Sequence, residues 1–187
     1  MIRATLLSVC ITVACLSFAN GNEVKYSNDS SLIEHADVHE LLQQVVSVTG
    51  LNESFELKEA NVLNIEATVI HKKRYILYNP VFITSLNNIS KDTWGVKALL
   101  AHEIGHHLNG HTMRRGGSKP KLELEADEYA GFILHKLGAT LQQAQNVFYL
   151  IAKEKGSRTH PSRTARLSAI EKGWNKAAAI EDATAKQ

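Results

Sequence analysis

The stretch Ala101-His102-Glu103-Ile104-Gly105-His106-His107-Leu108-Asn109-Gly110-His111 holds the pattern H-E-x-x-H at the end of an apolar run from Trp94 to Leu100. Four residues is slightly more than one helical turn. On a helix, His102 and His106 therefore project from one face, about 5–6 Å apart at Cβ, as two ligands of one tetrahedral ion require. Glu103 lies beside them, where its carboxylate can take a proton from a water in an open coordination position and return it to a leaving amine. The spacing points to a zinc site. A histidine-rich helix end without metal is the plain alternative, and a third ligand decides between the two.

Residues 120–137 supply one. Ala126, Ala130, Ile133, Leu134 and Leu137 recur at helical spacing, with Pro120 in the first turn and Gly138 just past the end. On that helix Glu123 and Asp127 share a face. One carboxylate can bind metal while the other accepts the free ring N–H of a ligand histidine and fixes its tautomer.

H-E-x-x-H followed by E-x-x-A-D resembles the pairing of the gluzincin metallopeptidases, most closely the HtpX-like and BepA-like family that also holds the CaaX prenyl proteases. His111, five residues after His106, matches the extended H-E-x-x-H-x-x-x-x-H of many members. Thr159-His160-Pro161-Ser162-Arg163-Thr164-Ala165-Arg166-Leu167 is similar to the family's late H-P-x-x-x-x-R-[IL] segment. The likeness spans Asn64 to Leu167. Metzincins are excluded by register, since Asn109 and Thr112 stand where they need glycine and histidine. Cytosolic antirepressor proteases share the two helical motifs but not the His160-Pro161 segment or an export signal.

The resemblance implies an α+β gluzincin fold, mainly helical, with a small β-sheet or hairpin above the site. It implies one zinc ion held by His102, His106 and Glu123, with Asp127 orienting a ligand histidine and Glu103 shuttling the proton. The implied activity is that of a zinc metalloendopeptidase acting on peptides or unfolded proteins. His160 is implied near the metal, either stabilising the oxyanion or filling the fourth zinc position in a latent state. Arg166 is implied either to hold that loop or to bind a substrate carboxylate. The alternative from another class is a latent, zinc-bound envelope chaperone with little proteolysis.

The elements that must position these residues follow from composition and pattern. At 187 residues, 44% hydrophobic and 21% charged, the chain fits one globular domain with a substantial core. Its net charge of +2 gives no argument for nucleic acid or an anionic membrane surface. Residues 1–19 read as an export signal with Arg3 at its basic start, an apolar core from Ala4 to Leu16 and Ala19 before the cut, which implies periplasmic, envelope or secreted protein. Cys10 and Cys15 both lie inside it, and lipid anchoring at Cys15 is the alternative to cleavage after Ala19. Nothing later is apolar enough for a membrane span, so prenylated substrates are not expected.

A polar segment, 20–31, precedes the single peptidase domain at 32–175, and 176–187 reads as a frayed tail. Leu32 to Thr49 reads as an amphipathic helix with His35 and His39 on its solvated face. Ile65–Ile70 and Arg74–Tyr78 form a hairpin turning at 71–73, and Asp92 caps the motif helix. The resemblance implies that an extended substrate adds to the sheet edge as a further strand. Thr140–Lys155 and a helix opened by Pro161 and running to Trp174 complete the domain.

Overall fold

Local chemistry sets where each element starts. The computed structural model describes residues 37–50, 52, 54–114 and 118–186; the expected export signal, the 20–31 segment, both cysteines and the expected helix's start from Leu32 to Ala36 lie outside them. Helix α1 (Val38–Ser47) begins where Asp37 accepts the His39 N–H at 2.9 Å, and it buries Val38, Leu41, Leu42 and Val45. His39 stays exposed.

Three strands follow: β1 (Glu56–Glu59), β2 (Ile65–Ile70) and β3 (Lys73–Tyr78), in the order β1-β3-β2. The β2–β3 hairpin turns on two residues, His71 and Lys72, at φ 49° and 67°, so Lys73 already belongs to the strand. β1 pairs parallel to β3, which leaves β2 as a sheet edge. Ile65, Ala67 and Ile76 are buried on the core side.

Asn79 caps helix α2 (Pro80–Ser90) by accepting the Val81 N–H at 2.9 Å. Helix α3 (Trp94–Leu108) carries the H-E-x-x-H pattern and is the centre of the molecule: every residue from Ala98 to His107 is buried. Asp92 accepts the Trp94 N–H at 2.9 Å, although Thr93 occupies the cap position. A 3-10 turn over His111–Met113 leads toward α4 (Pro120–Lys136), α5 (Leu141–Ile151) and α6 (Arg163–Ala185).

Two boundaries differ from the pattern. Helix α5 stops at Ile151, and the irregular stretch after it is tied to the start of α6 by the Arg163 N–H on the Lys153 carbonyl at 2.8 Å and Arg163 Nε on the Ala152 carbonyl at 3.0 Å. Helix α6 starts at Arg163 behind a Ser162 cap and continues to Ala185, so the segment from Lys176 is helical rather than frayed. Partners on α4 hold it: Lys172 pairs with Glu128 at 2.6 Å and Lys136 with Glu181 at 3.3 Å, and Ala177 is buried.

The α4–α6 crossing is a backbone contact. A Cβ on Gly131 would stand 2.0 Å from the Ile170 carbonyl oxygen, and one on Gly173 1.8 Å from that of Glu128. Among the described residues, no helix is long and apolar enough to cross a membrane.

Candidate metal centre

Three of the sequence-predicted ligands converge. His102 and His106 come from α3 and Glu123 from the first turn of α4, and one donor atom of each lies within 4.8 Å of the others. His102 Nε2 is 3.1 Å from His106 Nε2, while Glu123 Oε2 is 3.4 Å from the first and Oε1 3.5 Å from the second. Glu123 Oε2 is buried without a hydrogen bond. Three electron-pair donors facing one point, one of them orphaned, form a group that can hold a metal ion.

The surrounding groups orient these donors. His102 Nδ1 is 2.8 Å from Asp127 Oδ1, which fixes Nε2 toward the convergence point. Asp127 is itself gripped by Arg166, whose Nε donates to Oδ2 at 2.8 Å and Nη2 to Oδ1 at 2.6 Å. The guanidinium lies over the Phe148 ring, 4.7 Å from its centroid, and Arg166 is only 3% exposed. Its fork is thus engaged with Asp127 from across α6. His106 Nδ1 is 3.0 Å from His111 Nδ1, and His111 Nε2 is 2.9 Å from Glu125 Oε2.

Burial and partners set the charges. Burial opposes charge on His102, but the carboxylate of Asp127 outweighs it and raises the ring's pKa to about 9. Burial and the neighbouring His102 lower that of His106 to about 3. The acids Glu123 and Asp127 are both held below the usual carboxylate range against the penalty of burial, Glu123 by the histidines and Asp127 by Arg166.

Glu103 stands apart from the donor group. Its Oε2 accepts the Ala67 N–H at 2.7 Å, so α3 is clipped directly to the edge strand. Burial pushes its pKa up to about 7, with only partial relief from His102.

His160 is half-buried and is not in the donor group. Its Nδ1 is 2.9 Å from Thr159 Oγ1, and its Nε2 is buried without a partner. Ser118 links this loop to the centre: its hydroxyl is within hydrogen-bonding reach of Glu123 Oε1 and lies 3.0 Å from the Thr159 carbonyl, and its one proton serves one of them. Nothing in the sequence marks Ser118 or Glu125. Serine in a basic loop is unremarkable there, and Glu125 reads as the partner of Lys121 in a surface i,i+4 pair.

Comparison with protein families, curated proteins and solved structures finds no match to this chain.

Proposed function

We propose that this chain is a zinc-dependent endopeptidase of the gluzincin type. The observation that carries the reading is the meeting of the His102, His106 and Glu123 donors beside a glutamate, Glu103, that is hydrogen-bonded to a sheet edge. Zinc fits the donor set: tetrahedral bonds of about 2.0–2.2 Å place donors about 3.3 Å apart; the two histidine Nε2 atoms are 3.1 Å apart, and Glu123 brings one carboxylate oxygen to 3.4 Å from the first and the other to 3.5 Å from the second.

When bound, zinc supplies a Lewis acid that polarises a peptide carbonyl and makes water acidic near neutral pH. The chain's residues do the rest. Glu103, with Oε2 held by Ala67, takes the water's proton and hands it to the leaving amine. An extended peptide adding as a strand at the β2 edge would compete with Glu103 for the Ala67 N–H. Asp127 and Arg166 hold His102 in its donor tautomer. The unpaired Nε2 of His160 is the group suited to donate to the developing oxyanion.

One observation favours a latent form of the same centre. His102, His106, Glu123 and Glu103 are all at most 3% exposed, and the Ser118 hydroxyl lies within reach of both Glu123 and the Thr159 carbonyl of the His160 loop. A capped site of this kind would bind zinc and unfolded protein with little cleavage.

The test is zinc content and casein cleavage for the purified protein beside Glu103→Gln. One zinc in both, with cleavage by the unsubstituted protein alone, supports the peptidase. Cleavage by Glu103→Gln at the normal rate refutes the mechanism; one zinc in both with no cleavage in either supports the latent form.

A further inference from the structure

We propose that His111 and Glu125 form a positioning relay that fixes the tautomer of His106, so that one metal ligand is oriented through a second histidine rather than by a carboxylate directly. The inference rests on the reading of His106 as a ligand through Nε2.

The hydrogen bonds allow one assignment. If His106 Nε2 presents a lone pair to a metal, its proton sits on Nδ1. That nitrogen faces His111 Nδ1 at 3.0 Å, so His111 must accept there and carry its own proton on Nε2. That proton meets Glu125 Oε2 at 2.9 Å, an acceptor only. The opposite tautomer of His111 would set two N–H groups against each other in a buried site, and a carboxylate beside an unprotonated nitrogen. Glu125 therefore selects the tautomer of His111, and His111 that of His106.

The backbone is shaped to make this contact. On an uninterrupted α3, residue 111 would lie about 140° around the helix from His106 and face elsewhere. Instead the helix ends at Leu108, and Gly110, at φ 67°, folds the chain into the 3-10 turn that begins with His111. Such left-handed geometry suits glycine. The ring that results is 0% exposed, with both nitrogens engaged, and it meets the His106 ring edge-on at 5.1 Å. The two ligand histidines are thus held by different devices: Asp127 of α4 with Arg166 of α6, and His111 from the turn after α3 with Glu125 of α4.

The experiment measures zinc affinity by competition with a chromogenic chelator, at one pH, for the unsubstituted protein and four variants. His111→Leu removes the acceptor and should weaken zinc binding about 10–100-fold. His111→Gln restores an acceptor and should recover most of the loss. Glu125→Ala frees the tautomer and should cost about tenfold, with Glu125→Gln, which still accepts a hydrogen bond, in between. Nitrogen NMR of the zinc-loaded protein supplies a readout that packing alone would not move: the His106 Nδ1 proton should exchange with water faster in Glu125→Ala.

Affinity within twofold of normal in folded His111→Leu, or an equal loss in His111→Gln, overturns the relay. Should His111→Leu not fold, Glu125→Ala decides, because that side chain is 38% exposed and its truncation leaves the core intact. An unsubstituted protein that binds no zinc overturns the metal-centre reading and the relay together; zinc binding indifferent to all four substitutions overturns the relay alone.

Discussion

Replacing Gly173 with alanine tests whether the α4–α6 contact holds the site together. The new Cβ would stand 1.8 Å from the Glu128 carbonyl oxygen, 2.8 Å from its carbon and 2.9 Å from the Phe132 nitrogen, all backbone atoms. No side chain can rotate away to relieve this, so the helices must part by at least about 1 Å to reach an ordinary contact. Overpacking of this kind costs about 3 kcal/mol, and alanine's better helix propensity returns about 1 kcal/mol. Asp127 lies one turn before Gly131 on α4, and Arg166 one turn before Ile170 on α6, so parting the helices also stretches their 2.6–2.8 Å hydrogen bonds. A buried, charge-assisted pair loses about 1–2 kcal/mol more when lengthened. The expected net loss is about 3–4 kcal/mol, a fall in Tm of roughly 6–16 °C for a chain of this size. Urea unfolding followed by far-ultraviolet circular dichroism measures it; zinc affinity should drop in parallel. A Gly173→Ala protein at least as stable as the original would refute the reasoning, because the overpacking cost would then be no larger than the gain in helix propensity.

Further outcomes follow from the buried charges and the caps. Arg166→Met leaves Asp127 buried with only His102 as partner and should destabilise the protein by about 3–5 kcal/mol in thermal unfolding, far more than the loss of a surface arginine. His102 has a folded pKa of about 9 against an ordinary 6.5, so its contribution is full below pH 6.5 and is lost as pH rises through 9. Glu103, raised to about 7 from 4.5, loses stability in the same direction over a lower range. Protein stripped of metal with a chelator should therefore lose roughly 2 kcal/mol of stability between pH 7 and 10, and a rise over that interval in urea titrations would contradict the assignment. Thr140→Ala removes one half of the Thr140–Gln143 capping box and should cost about 1 kcal/mol by the same assay, with zinc affinity unchanged.

What the sequence makes legible is what lies within one helix. The i,i+4 pairs His102 with His106 and Glu123 with Asp127 can be read because the helical repeat puts them on one face whatever surrounds them, and Pro120 and Asp92 mark where those helices begin. Contacts between distant residues are not legible in this way. Arg166 meets Asp127 across 39 positions, and its engagement depends on how closely α6 can approach α4. The parallel pairing of β1 rests on four residues, Glu-Leu-Lys-Glu, with no periodicity of their own. The extension of α6 past Trp174 draws on Lys136 of α4, which pairs with Glu181 and which no local pattern contains. Pattern reading also sends polar residues outward, whereas His102, Glu103, His106, His107, His111, Glu123, Asp127 and Arg166 are all inside.

That inversion bears on how such a protein could lose its chemistry. Most of these side chains answer one another's charge or hydrogen-bonding demand, so deleting Asp127 strands Arg166, and deleting Arg166 strands Asp127. If the chain is the peptidase proposed above, pressure to fold would preserve the ligand set in a descendant that no longer turned over any substrate. Glu103 is the exception, because a glutamine there would still accept the Ala67 N–H. Decay of catalysis would first appear at that one position, beneath an intact set of ligands, and a census of ligands across descendants would overcount the working catalysts among them.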